Sequence, residues 1–290
     1  MPQEESIGHI IEKFQRIEIT EHHIYKRLSK VIKDPENRNI LAQIADDEQR
    51  HSEDWKKYTQ REIKPNRWDI FKYTLISYVF GFTFGIKLME RGEEKAQGNY
   101  ARLKGKIPDI DAWIHEEEIH EQKLLAMLDE ERLRYAGSVV LGLNDALVEL
   151  TGALAGLTLA LQNVKLIALS GLITGIAASL SMAASEYLST RSEKTDKHPV
   201  RAAVYTGIAY IITVTLLVLP YLLIPNYIVD LVITLVVAVI IIAVFNYYIS
   251  VAKDEPFKAR FLEMAGLSLS VAAFSFIIGY FIRQWLGVDI

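Results

Sequence analysis

Five apolar stretches of about 20 residues each occupy the second half of the sequence and constrain the fold more than any other feature. A helix of this length crosses the hydrocarbon core of a bilayer while satisfying its own backbone hydrogen bonds. The stretches cover approximately residues 137–162, 166–189, 200–222, 226–251 and 261–286. Short connections join them, so the pattern predicts five transmembrane helices.

Charged residues divide the chain into two parts. Residues 136–290 hold 10 of the 36 acidic and 9 of the 32 basic residues, which leaves 26 and 23 for residues 1–135. We therefore expect a water-soluble domain over 1–134 and a membrane domain over 135–290. The net charge of −4 offers no basic surface for nucleic acid, so no nucleic-acid partner is expected. The chain has no cysteine, which excludes thiolate metal sites and cysteine catalysis.

Helical periodicity in the first half predicts four helices. They cover about residues 4–32, 35–61, 68–104 and 108–134. Short connections make an antiparallel four-helix bundle the expected architecture, and the fold class is all-α. The apolar stretch 71–88 leaves alternatives open, because it is typical of a further membrane span, of a helix at the membrane surface, or of a helix packed in the bundle.

Two Glu-x-x-His pairs stand on alternate helices of this half: Glu48 with His51, and Glu117 with His120. Residues three apart share one face of a helix, so each pair can present a carboxylate and an imidazole to the same metal ion. One such pair alone would be read as a solvated charged face. Two pairs on the second and fourth of four helices favour a metal site instead.

The other two helices supply further carboxylates. Glu18 on the first and Glu93 on the third are the expected partners of the two pairs, and Glu21 and Glu90 are further candidate ligands. A site built from carboxylates and two histidines suits Fe²⁺ or Mn²⁺ better than soft metals. The ligand set does not distinguish between these two ions.

On these motifs, residues 1–134 resemble the rubrerythrin/ferritin-like family. The resemblance implies a four-helix ferritin-like bundle with a di-iron centre that reacts with O₂ or peroxide. Glu18, Glu48, His51, Glu93 and Glu117 with His120 would be its ligands. The chain lacks the four-cysteine iron site of complete rubrerythrins, so a peroxidase with its own electron relay is not expected.

Ionisable groups inside a membrane span indicate a functional site, because burying them in hydrocarbon is costly. Asp145 and Glu149 lie four residues apart on the first span, and Met182 and Glu186 have the same spacing on the second. Asn144 is a further candidate ligand. Alternatives stay open, since Met182 can be core packing and Glu186 can reach the interface near the end of its span.

The segments GLNDALVELTGALAGL and SMAASEYLSTRSE resemble the first and second spans of the vacuolar iron transporter family. The resemblance implies a homodimer whose first spans line a pathway for Fe²⁺ or Mn²⁺ in exchange for protons. Asp145, Glu149, Met182 and Glu186 would line it. The chain departs from plant-type members, because its second and third spans are joined without a Glu-rich module.

The combination of both parts resembles bacterial membrane-bound ferritin-like proteins, which implies metal export from the cytoplasm. Basic residues cluster on alternate connections, and the positive-inside rule then places the N-terminal domain in the cytoplasm and the C-terminus outside. The leading hypothesis is a transporter fed by the bundle. A membrane-anchored ferroxidase or peroxidase is the alternative, and a metal sensor that gates the pathway is a third.

Overall fold

The computed structural model describes residues 7–97, 103, 107–108, 110–126, 135–193 and 197–286. The described side chains exclude those of residues 90, 93–97, 121, 125–126 and 286. Helices and no strand occur within these described ranges, which confirms the all-α prediction. The chain divides into two compact units, Met1–Glu130 and Glu131–Ile290.

The first unit contains five helices within its described residues. They are α1 (Ile7–Ser29), α2 (Pro35–Thr59), α3 (Arg67–Phe80), α4 (Phe82–Gln97) and α5 (Ile110–Ala126). Side-chain N-caps stabilise the beginnings of α2 and α3. The Asp34 carboxylate accepts a hydrogen bond from the backbone N–H of Asn37 at 2.8 Å, and the Asn66 side chain caps α3 in the same way.

The predicted single helix over 68–104 is wrong in one respect, because the chain breaks at Gly81. This glycine has φ of 100°, a conformation that other residues rarely adopt. The helices on either side then approach closely, and a Cβ at Gly85 would overlap the side chain of Ser77. The break leaves α3 only 14 residues long.

Two apolar clusters hold the first unit together. One joins Ile24 and Leu28 of α1 to Leu41 and Ile44 of α2, with contributions from α3, α4 and α5. The other packs Phe14 flat against Trp55, with ring centroids 5.4 Å apart, and adds residues of α5. Both clusters orient α1, α2 and α5 so that their polar faces meet. The four-helix ferritin-like bundle remains a prediction.

The second unit consists of five long helices within its described residues: α6 (Ala136–Leu161), α7 (Val164–Ser192), α8 (Pro199–Leu223), α9 (Tyr227–Lys253) and α10 (Phe257–Leu286). All five are long and apolar enough to cross a membrane, which confirms the prediction of five spans. Asn163 and Asn226 cap α7 and α9 through their side-chain oxygens.

Helix α6 lies at the centre of the second unit and packs against each of the other four helices. Small residues permit this arrangement: a Cβ at Gly142 would lie 2.5 Å from the carbonyl oxygen of Thr206 on α8. Gly156 of α6 and Gly279 of α10 bring those two helices closer still, because a Cβ at Gly279 would overlap the carbonyl oxygen of Gly156. The helix that carries Asp145 and Glu149 is therefore the most enclosed of the five.

Candidate functional site

Three helices of the first unit bring four predicted ligands together. Glu18 comes from α1, Glu48 and His51 from α2, and Glu117 from α5, and one ligand atom of each lies within 4.8 Å of all the others. Glu18, Glu48 and His51 are buried and Glu117 is half-buried. This buried Glu/His group, which we term the first-unit cluster, could hold a metal ion.

The Nδ1 atoms of both predicted histidines face the cluster. His51 Nδ1 lies 3.1 Å from Glu117 Oε1, 3.7 Å from Glu48 Oε2 and 3.8 Å from Glu18 Oε2. His120 Nδ1 lies 3.1 Å from Glu48 Oε1 and 3.8 Å from Glu117 Oε2. The ring centroids of the two histidines are 5.9 Å apart. Glu48 and Glu117 therefore each lie between the two imidazoles.

The outer nitrogens of the histidines meet two carboxylates that the sequence reasoning missed. His51 Nε2 lies 2.7 Å from Glu116 Oε2, and His120 Nε2 lies 3.1 Å from Asp47 Oδ2. Each carboxylate immediately precedes the glutamate of one Glu-x-x-His pair and reaches the histidine of the other. The repeated pattern Asp/Glu-Glu-x-x-His was the available sequence signal.

Such outer carboxylates fix the tautomer and ring orientation of a metal-binding histidine and raise its basicity. Here they direct both Nε2–H groups outward and leave both Nδ1 atoms facing inward. Arg50 donates to Asp47 and to Glu116, with its Nη2 3.0 Å from an oxygen of each. One guanidinium therefore supports both outer carboxylates.

Inward-facing atoms without hydrogen bonds mark the place where a cation fits. Among the described residues, Glu48 Oε2, His51 Nδ1, Glu117 Oε1 and His120 Nδ1 are buried, and although imidazole and carboxylate atoms stand as close as 3.1 Å, none of the four makes a contact with hydrogen-bond geometry. A buried polar atom without a partner costs about 1–3 kcal/mol, so four in one place call for a ligand. Carboxylate oxygens and imidazole nitrogens are donors that Fe²⁺ and Mn²⁺ accept.

Without a bound cation, the titration of the cluster shows how tightly its charges interact. Burial, together with the charge of Glu117, raises the pKa of Glu48 well above its usual range. Burial opposes protonation of His120, but Glu117 and Glu48 outweigh it and raise its pKa to about 10. The nearby imidazoles overcome the effect of burial on Glu117 and lower its pKa to about 2. Without a metal, protons on these side chains therefore balance the carboxylate charge that a metal cation would otherwise balance.

The remaining predicted ligands of the first unit differ in their positions. Glu18 has one oxygen held by the indole N–H of Trp55 at 3.2 Å, which leaves the other directed at His51. Glu21 is buried on α1 but lines a separate cavity of about 320 Å³ with Lys13 and Arg16. The side chains of Glu90 and Glu93, both on α4, lie outside the described residues.

In the second unit the structure brings Asp145 and Glu149 together on α6. Their carboxyl groups interact, and the hydroxyl of Tyr210 on α8 donates to Glu149 Oε2 at 3.0 Å. Glu149 is exposed and Asp145 is half-buried, although both lie well inside a membrane-capable helix. Tyr210 was not foreseen, because its partner is 61 residues away in the sequence.

Met182 and Glu186 of α7 occupy different surroundings. The Ser138 hydroxyl donates to Glu186 Oε1 at 2.5 Å and ties α7 to the beginning of α6. Met182 packs against the apolar core of the second unit. Asn144 is half-buried, and its Oδ1 has no hydrogen-bond partner within the described part of the chain. Ser138 and Glu149 are 11 positions apart on α6, roughly 16 Å along the helix axis. Glu186, which is bonded to Ser138, therefore meets α6 well away from the Asp145 and Glu149 pair.

Sequence reasoning also missed Asp230 in the first turn of α9. Its side chain is completely buried, and neither carboxyl oxygen has a hydrogen-bond partner among the described residues. The nearby Tyr221 hydroxyl pairs with Thr158 of α6 at 2.7 Å. An ionisable residue inside a predicted span was the available signal.

Comparison with known proteins bears on the second unit. No curated protein matches the chain. The model of the VIT family matches residues 136–198, which contain α6, α7 and the predicted pathway residues Asp145, Glu149, Met182 and Glu186. The match agrees with the resemblance of these two spans to the vacuolar iron transporter family, whereas the resemblance of residues 1–134 to ferritin-like proteins stays a prediction. Residues 136–198 therefore carry a VIT family domain.

Proposed function

We propose that this chain transports Fe²⁺ or Mn²⁺ across a membrane and that the first-unit cluster captures the metal beforehand. The VIT family domain over residues 136–198 is the observation that carries this proposal. Asp145 and Glu149 lie inside that domain, on the central helix of five membrane-capable helices. Carboxylates in such a place are costly unless a cation or proton uses them.

The first-unit cluster supports a site for two metal ions. Glu48 and Glu117 stand between the two imidazoles, and these two carboxylates with His51 and His120 would hold the ions. Glu18 would supply a further carboxylate ligand beside His51. The repeated motif makes Glu93 of α4 the corresponding predicted ligand. When bound, two iron ions would supply redox chemistry toward O₂ or peroxide.

A membrane-anchored ferroxidase or peroxidase is the second candidate function, and the buried cluster favours it. In that case the first unit oxidises Fe²⁺ while the second unit serves as an anchor. The paired carboxylates on α6 argue for transport as the main activity, because an anchor needs no intramembrane charge. A metal sensor that gates the pathway would use the same two sites.

Proton exchange, export and a homodimer complete the proposal. Carboxylates must lose their protons to bind a cation, so metal binding at Asp145 or Glu149 releases protons. Glu149 is exposed on α6 within a single chain. Because lipid is a poor environment for a carboxylate, a second copy that covers this face and forms a polar pathway would stabilise it. With the first unit in the cytoplasm, capture precedes export.

Metal flux into proteoliposomes tests the proposal. We expect the purified chain to move Fe²⁺ and Mn²⁺ toward an internal metal-sensitive dye, with protons moving the opposite way. Asp145→Asn should abolish flux because it removes a pathway charge at nearly constant volume. Glu193→Gln is the matched control, since Glu193 is exposed beyond the end of α7 and should tolerate the change.

Variants of the first-unit cluster separate the candidate functions. Glu48→Gln should slow transport at low metal concentration and leave it intact at saturating metal, because capture then no longer limits the rate. Oxidation of Fe²⁺ by O₂, with no flux in wild type or in Glu48→Gln, would replace transport by the ferroxidase. Unchanged flux in Asp145→Asn would contradict the pathway.

A further inference from the structure

Helix α3 exposes one face that is almost entirely apolar. Trp68, Phe71, Leu75, Tyr78 and Val79, which we call the α3 outer face, have relative exposures of 67, 53, 49, 64 and 56%. Their spacing places them together on one side of the helix. On the other side Ile70 and Ser77 are buried in the first unit. The helix is therefore apolar on the side that is buried in the first unit and again on the exposed side.

This surface needs an apolar partner. Water-soluble monomers rarely expose a contiguous patch of large apolar side chains, and such patches mark binding surfaces. A transmembrane position does not solve the problem. Fourteen residues of helix cover about 21 Å, whereas the hydrocarbon core is about 30 Å thick. One side of α3 is also committed to the core of the first unit through Ile70.

The residues bordering the α3 outer face favour a lipid surface. At 3.6 residues per turn, Arg67 and Lys72 lie on opposite borders of the apolar side chains. Trp68 and Tyr78 are the residue types enriched where hydrocarbon meets headgroups. Basic residues beside an apolar face are the pattern of helices that lie in the interface of anionic membranes. Lys72 is held at this border by Asp69, 3.0 Å from its Nζ.

The covalent connection to the second unit makes a bilayer the most available partner. Helix α5 ends at Ala126 and the membrane-capable α6 begins at Ala136, ten positions later. Ten residues reach at most about 35 Å even when fully extended. The first unit is therefore held at a membrane whenever the second unit is inserted. A low-affinity surface suffices under such tethering, because the effective concentration of lipid is high.

We propose that the α3 outer face is a membrane-binding surface, which rests among the headgroups and upper acyl chains of a bilayer containing anionic lipid. Trp68, Phe71 and Leu75 enter the acyl boundary, and Arg67 and Lys72 meet the lipid phosphates. This inference requires membrane insertion of the second unit but does not depend on transport. It also gives α3 a reason to be apolar on both sides.

Spin labels on the intact chain test the proposal directly. The sequence contains no cysteine, so each variant carries a single label and needs no background substitutions. Phe71→Cys and Leu75→Cys place the label on the α3 outer face, and Glu62→Cys places it on a side chain 87% exposed just before α3. Phe274→Cys, exposed on α10, reports lipid contact of the membrane unit.

Collision rates with O₂ and with a neutral, water-soluble nickel ethylenediaminediacetate complex are then compared in nanodiscs of anionic lipid. O₂ concentrates in lipid and the complex stays in water. We expect O₂ to dominate at positions 71, 75 and 274 and the complex to dominate at position 62. Nanodiscs of zwitterionic lipid should lower the ratio at 71 and 75, while the ratio at 274 stays unchanged, because only the α3 contact uses headgroup charge.

Two results would overturn the proposal. Dominance of the water-soluble complex at positions 71 and 75, with O₂ dominant at 274, shows that the face is solvated although the chain is inserted. Exclusion of both reagents with spin–spin broadening between labels shows that a second copy of the chain covers the face. Circular dichroism of each labelled variant checks that the fold persists.

Discussion

Replacing Glu116 by glutamine should weaken metal binding at the first-unit cluster although none of the predicted ligands is changed. Glu116 Oε2 lies 2.7 Å from the Nε2 of His51, whose ring is fully enclosed, while its Nδ1 faces the cluster. Glutamine keeps the size of the side chain and an oxygen that can accept from Nε2–H. It removes the charge that makes the imidazole more basic and favours the tautomer with a bare Nδ1.

The size of the effect follows from the environment of this contact. Loss of a carboxylate behind a metal-binding histidine typically costs about 10–100-fold in affinity. About a third of the Glu116 side chain is exposed, so solvent screens its charge and the lower end applies. We therefore expect about a tenfold rise in the dissociation constant, or roughly 1.4 kcal/mol. Asp47→Asn should raise the dissociation constant in the same way through His120, because Asp47 Oδ2 lies 3.1 Å from the Nε2 of that histidine.

Titration with Mn²⁺, followed by electron paramagnetic resonance of the free ion, measures this change in the detergent-solubilised full chain. Glu118→Gln is the matched control, since Glu118 neighbours the site on α5 and its side chain is 64% exposed. Equal affinities for Glu116→Gln and Glu118→Gln would refute the assigned role of Glu116. A change in the far-ultraviolet spectrum of Glu116→Gln alone would instead point to misfolding, and Asp47→Asn, which removes the charge behind His120, then repeats the test.

Four further outcomes are expected. Mn²⁺ affinity should rise by at least about tenfold per pH unit between about pH 6 and pH 9, because His120, with its pKa raised to about 10, and His51, whose burial is outweighed by the carboxylates around it so that its pKa is raised further, must lose their protons to bind metal; a flat profile would contradict this. The same proton stabilises the unliganded fold below about pH 6.5 and ceases to do so as the pH rises through 10, which thermal melts can follow. Gly142→Ala should destabilise the chain by about 1–3 kcal/mol because its Cβ would meet Thr206, whereas Gly266→Ala, with open space around it, should melt like wild type. Asp230→Asn should preserve or raise the melting temperature, since an amide costs less to bury than a carboxylate; a marked fall would reveal a bound cation or proton partner.

The candidate ligands could be predicted from sequence because their signal is local. A spacing of three along a helix places Glu48 beside His51, and Glu117 beside His120, whatever surrounds them. The positions of Asp47 and Glu116 could not be predicted in this way. Each meets a histidine more than 60 residues away, on a different helix, so the pairing depends on how α2 and α5 are rotated toward each other.

The same distinction applies to the second unit. Length and hydropathy alone predicted its five helices, since a bilayer sets the length that a span requires. Neither property indicates which helix stands in the middle. Close contacts at Gly142 and Gly156 place α6 there, and the hydrogen bond from Tyr210 to Glu149 follows from that position.

The sequence by itself therefore determined which segments are helical, which of them can cross a membrane and which residue types can bind a cation, because periodicity and hydropathy act over a few turns of helix. Only the tertiary structure decided that the helix over 68–104 breaks at Gly81, that an apolar side of α3 stays exposed, and that Asp230 is completely buried. These features depend on how helices distant in sequence pack against each other, and packing is a property of the whole unit.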